Sequence, residues 1–149
     1  MEVKRVELTN HVTSIRRVLK EVCGVHSAAP LVRQSDEPNG IMVTTAPTED
    51  VSRRVTTDLG GTEFALGLPI PDADHPRYWI ALHERWELIS RHKIRFSECG
   101  LRLYVGMVDE AALQLLRLEW IAPTPNPDGE PRYLGKHAGH PHWHIDRSA

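Results

Sequence analysis

Tyr78-Trp79-Ile80-Ala81-Leu82-His83-Glu84-Arg85-Trp86-Glu87-Leu88-Ile89 is the stretch on which the fold turns. Its opening, Tyr78 to Leu82, is aromatic and branched and favours a strand. Trp79, Leu82, Trp86 and Ile89 also fall at helical spacing and would make one face of a helix. We take the strand, which makes most of the chain beyond it a sheet. Lys93 to Glu98 and Leu101 to Gly106 then predict a hairpin about Cys99-Gly100. Asp109 can cap a short helix through Ala111 and Ala112. Leu116 to Ile121 alternates as a strand does, and a Pro-rich loop, Pro123 to Pro131, leads to a last, histidine-bearing strand.

On the N-terminal side, Gly67 to Pro76 reads as a loop. A helix is predicted over Pro47 to Leu59. Pro47 suits the first turn, Glu49 and Asp50 suit the positive end, Val51, Val55 and Leu59 give a stripe, and Gly60-Gly61 stops it. Leu31 to Gln34 and Ile41 to Thr44 flank Asp36-Glu37-Pro38-Asn39-Gly40 as a hairpin. A first helix is predicted from Asn10 to Cys23, with Thr9 or Asn10 as cap, Val12, Ile15, Leu19 and Val22 as stripe, and Gly24 at its end. The expected fold is α+β. It is a single domain over residues 1–149, an antiparallel sheet with two or three helices and a C-terminal histidine-rich edge strand.

Composition sets bounds on function. The chain has 149 residues, is 40% hydrophobic and 26% charged, and has a formal charge of -2. Acidic and basic residues are interspersed, so no general nucleic-acid binding is expected. Arg16, Arg17 and Lys20 cluster locally, as do Arg91, His92, Lys93 and Arg95; both read as solvated faces. The N-terminus is charged and does not read as a signal peptide, and no apolar run approaches a membrane span. Cys23 and Cys99 make no CxxC motif and read as reduced thiols of a cytoplasmic protein.

The chemistry-bearing stretch is Gly135 to Asp146, which holds four of the nine histidines. His140, His142 and His144 share a face if the segment is extended. Same-face neighbours on a strand lie about 6.6 Å apart, which suits two imidazoles converging on one ion. Residues four apart lie about 13 Å apart, too far for all three to share an ion from a straight strand. His140 and His142 are therefore the expected ligand pair, with His137, Asp146 or Glu119 completing the site and His144 left as a proton carrier. Pro141 lacks an N–H and fits an edge strand. Trp143 and Ile145 alternate with the histidines as a half-buried strand requires. His83-Glu84-Arg85-Trp86-Glu87 has Glu87 where the zinc-protease pattern needs a histidine, and reads as an exposed charged stretch. His11, His26 and His92 receive no role.

His140-Pro141-His142-Trp143-His144-Ile145 resembles the alternating histidine motif of the histidine-triad superfamily. Its His-Pro-His opening also looks like the galactose-1-phosphate uridylyltransferase branch, which has glutamine where His144 stands. The resemblance implies His142 as a nucleophile that attacks phosphorus and carries a nucleotidyl group. The match covers about seven residues. It departs at its last hydrophobic position, which is Asp146, and lacks the family's upstream asparagine-glycine segment and long helix.

Three functions fit these residues. The first is a metal-dependent hydrolase, with zinc or another divalent transition metal, acting on a phosphodiester. In it His140, His142, His137, Asp146 and Glu119 supply ligands, and His144 and His142 the chemistry. The second is a metal-free triad-type nucleotidyl hydrolase or transferase. The third is a non-catalytic subunit with a structural metal or a protein partner. The sequence does not decide whether the chain is an enzyme, and it names no substrate.

Overall fold

A computed structural model of the chain describes residues 1–25, 30–48, 52–57, 60–108, 110–122, 124–125, 131–132 and 142–145. In chain order the elements are β1 (Glu2–Lys4), α1 (Arg5–Cys23), β2 (Val32–Glu37), β3 (Gly40–Thr45), β4 (Ser52–Thr56), β5 (Thr62–Leu68), β6 (Tyr78–Ser90), β7 (Lys93–Val105), β8 (Leu113–Ile121), β9 (Thr124–Pro125), β10 (Pro131–Arg132) and β11 (His142–Ile145). The architecture is mainly β, which corrects the expected α+β fold. Among the described residues one helix stands where two or three were expected.

Helix α1 starts earlier than its apolar pattern suggested. Glu7 Oε2 accepts from the Lys4 N–H at 2.9 Å, so an acidic first turn serves the free N–H groups and Thr9 and Asn10 lie inside the helix. Gly24, at φ 64°, closes the other end in the left-handed conformation. The buried stripe is Leu8, Val12, Leu19 and Cys23. Val22, expected in the stripe, is exposed. No described helix is long and apolar enough to cross a membrane.

Within the helix expected over Pro47 to Leu59, the described residues Ser52–Thr56 are strand β4, which pairs antiparallel with β5 from Ser52↔Leu66 to Thr56↔Thr62; Glu49, Asp50, Val51 and Leu59 lie outside the described residues. Its three-residue stripe was too short to commit the segment. Alternation decides instead: Val55 is buried, while the Arg54 guanidinium lies 5.7 Å from the Phe64 ring. The loop expected from Gly67 begins later, because Gly67 still pairs with Trp79.

Strand β6 takes the extended form expected of it. One half pairs with β3 and the other with β5 along one edge, while β7 runs the length of the opposite edge. Strand β7 corrects a second expectation, since there is no turn at Cys99-Gly100. It is one continuous strand, bulged where Arg85 opposes Glu98 and Trp86 opposes Phe96, which leaves Ser97 extra. The Ser97 hydroxyl donates to the Arg85 carbonyl at 3.1 Å across this bulge. The extra residue moves later side chains to the opposite face, so the alternation looked broken in the sequence. Ala111 and Ala112 are not helical; Asp109 lies outside the described residues.

The strand order is β11-β8-β7-β6-β3-β2, with β1 along β7, and β5 carrying β4 beside β6; β9 and β10 form a separate ribbon. The two faces carry different cores. On one, Leu8, Val12 and Leu19 of the helix meet Val32, Ile41, Val43, Leu66, Trp86 and Ile94. On the other, Val55, Ala65, Trp79, Ala81 and Tyr104 make a smaller cluster. Beside that smaller cluster the face becomes ionic.

Candidate functional site at the β8 edge

Residues directly opposite in an antiparallel pair share a face. The registers therefore lay out cross-strand rows on the face away from the helix. Ala81, Arg102 and Arg117 form one row, and His83, Gly100 and Glu119 the next. Strand β11 extends both in backbone register, with His144 opposite Arg117 and His142 opposite Glu119. This is the pairing that would bring Glu119 beside the histidine segment. His137, His140 and Asp146 lie outside the described residues.

The described part of this face is a connected ionic network. Arg102 NH1 donates to Glu63 Oε2 at 2.9 Å, and its NH2 to Glu119 Oε1 at 3.4 Å. Arg117 Nε lies 3.4 Å from Glu119 Oε2, so Glu119 is shared by two guanidinium groups. The Tyr104 hydroxyl donates to the other Glu63 oxygen. The Arg102 side chain is only 11% exposed. A buried arginine of this kind requires its carboxylates, because an unpaired charge there would be costly.

His83 belongs to the same network. Its Nε2 lies 3.1 Å from Glu98 Oε1, and its Nδ1 3.5 Å from Arg102 NH1. The imidazole rests on Gly100, where a Cβ would collide with His83 Cε1. The missing side chain is what admits the ring. The hydrogen bond from His83 holds Glu98 below the usual carboxylate range. The charges of His83, Arg85 and Arg102 act in the same direction, against burial.

The protease-like stretch at His83 takes a different form from either reading of it. It is a strand, so His83 and Glu84 leave opposite faces. Glu84 is buried under the helix, where both its oxygens lie within 3.0 Å of His11 Nε2 and Oε2 accepts from Trp86 Nε1 at 3.1 Å. Neither His83 nor Glu84 is the exposed charge that the sequence suggested, and His11, given no role, has one in holding the helix to the sheet.

Sequence reasoning found Glu119 and missed Glu63, His83, Glu98, Arg102 and Tyr104. The available signal was the period of two in Glu98, Gly100, Arg102 and Tyr104, which the imagined turn at Cys99-Gly100 concealed. Ile145, expected half-buried, is 74% exposed. Among the described residues no group of three or more His, Cys, Asp or Glu is spaced to hold a metal ion. No family model, curated protein or solved structure matches the chain.

Proposed function

We propose that the protein is a metal-dependent hydrolase of phosphodiester-type bonds, working at the edge where β11 meets β8. The observation that carries this reading is the register of His142 opposite Glu119 and His144 opposite Arg117. An imidazole row in register with a carboxylate is a nucleus for a zinc-class ion, and the arginine beside it suits a phosphate oxygen. His142 and Glu119 are the first ligands, and His140, His137 and Asp146 supply the remainder. Glu119 can serve because both its arginine contacts are long, at 3.4 Å. The ion would polarise the ester and lower the pKa of a bound water. His144 carries the proton. Two free thiols, Cys23 and Cys99, fit a cytoplasmic setting.

A second reading has one specific observation in its favour: Arg102 and Arg117 share a cross-strand row with the register position of His144. Paired guanidinium groups beside histidines suit metal-free attack on phosphorus, with His142 as nucleophile.

The experiment is elemental analysis of untagged protein, followed by hydrolysis of bis(p-nitrophenyl) phosphate with and without chelator. About one zinc-class ion per chain is expected. Both the ion and the activity should be lost in the His140→Ala/His142→Ala protein, with its melting behaviour retained. Full metal content in that variant overturns the ligand assignment. Chelator-resistant activity that leaves label on His142 selects the second reading. Bound metal with no hydrolysis selects a non-catalytic subunit.

A further inference from the structure

We infer that the cleft between the start of α1 and the β6–β7 turn is a binding site for a compact polyphosphate anion, a separate site from the β8 edge. The cleft has a volume of about 580 Å³ and is lined by Lys4, Arg5, Val6, Thr9, Gln34, Arg91, His92 and Lys93. That volume lies within the range of about 300–1,000 Å³ typical of small-molecule sites. Its lining includes four cationic residues, Lys4, Arg5, Arg91 and Lys93, and the imidazole of His92, and no acidic residue. The whole chain has a formal charge of -2, so this end opposes the overall sign.

Three of the neighbouring carboxylates are already engaged. Asp36 accepts from Arg5 at 2.9 Å. Glu7 accepts from the Lys4 backbone N–H, and Glu87 from Arg95 at 2.9 Å. Among the described residues Lys4, Arg91 and Lys93 have no ion-pair partner. The two walls are fixed to each other, because the Arg5 N–H donates to the His92 carbonyl at 3.0 Å and β1 pairs with the start of β7. Like charges held together in a concave site repel one another, and a bound polyanion removes that repulsion. The donor set selects phosphate. Arg91 offers a planar fork, Lys4 and Lys93 point charges, and Thr9 and Gln34 neutral donors. No Phe, Tyr or Trp lines the cleft to stack a base, so recognition centres on phosphate groups.

The test is calorimetric titration of the full chain with inorganic tripolyphosphate at low salt. Wild type should saturate at one site. Arg91→Ser/Lys93→Ser should weaken binding at least tenfold while melting as wild type does. Arg17→Ser/Lys20→Ser, which removes equal charge elsewhere, should stay within twofold. Competition with a nucleoside triphosphate and with a 5′-phosphorylated single-stranded RNA separates two sources of the same chemistry. Either one displacing tripolyphosphate supports the site and names its source. Absence of saturable tripolyphosphate binding overturns the proposal. So does equal weakening in the two variants, or equal affinity for polyglutamate, since each would reduce the effect to general charge.

Discussion

The two faces of β6 run on the same backbone and are stabilised by opposite means. Toward the helix, Trp86 is 1% exposed among Leu8, Val12, Ile41 and Ile94, and the charge admitted there, Glu84, is held by His11 and Trp86. Away from the helix, His83 enters a network of Glu98, Arg102, Glu63, Glu119 and Tyr104. One face gains from area removed from water, which tolerates reshaping. The other depends on matched charges, where loss of a single partner strands the rest. The helix face is closed around its core, whereas the ionic face runs across β7 and β8 to the register positions of the histidine segment.

The apolar side should show the heaviest loss. Trp86→Ala is expected to lower unfolding free energy by about 3–5 kcal/mol, because it empties a large site beneath the helix. Urea denaturation followed by far-UV circular dichroism measures this, and a loss under about 1 kcal/mol would show that the helix-side core does not depend on Trp86. Arg102→Ala tests the ionic face. It leaves Glu63 and Glu119 without their shared cation and should cost about 3 kcal/mol. The double variant Glu63→Gln/Arg102→Met should be more stable than either single variant. Strict additivity in that cycle would deny the coupling.

Gly100→Ala probes how tightly the ionic face is fitted, since its methyl group would occupy the place of the His83 ring. The expected loss is about 1–3 kcal/mol. His83→Ala in the same chain should relieve most of it, and failure to do so would separate the glycine from the histidine. A weaker effect is expected from pH. Glu98 has a lowered folded pKa, first through its bond to His83. Its contribution is therefore complete above the ordinary carboxylate range and is lost as pH falls through the depressed folded value. Wild type should lose more stability than Glu98→Gln between neutral pH and the acid side of that range. Parallel pH profiles for the two proteins would remove Glu98 from the account.

Much of the strand content was legible, and the errors have physical causes. The β2–β3 hairpin follows from its turn residues, and β6 from its aromatic opening. Strand β4 resembles a helix locally because Pro47, two acids and three spaced apolar residues satisfy one. Its pairing with β5 is a contact that no local pattern encodes. Strand β7 hides its continuity because a bulge shifts the face of every later residue, so Tyr104, in phase with Ile94 and Phe96 by count, lies on the opposite face from them. Of the candidate site, Glu119 and its pairing partner on the histidine strand were legible. The network around Arg102 was not, because its members come from four strands.

Local sequence was enough to mark which segments could be strands, where the single described helix ends and which residue types could carry chemistry. These depend on neighbours a few residues apart: alternation, a glycine able to adopt positive φ, imidazoles at a spacing of two. Tertiary packing alone chose which face each charge took and which charges met. His83 and Glu84 are adjacent in the chain, yet they belong to separate networks on opposite sides of one sheet. Strand register fixes such partnerships, and register is set by the packing of the whole sheet against its helix rather than by any one strand.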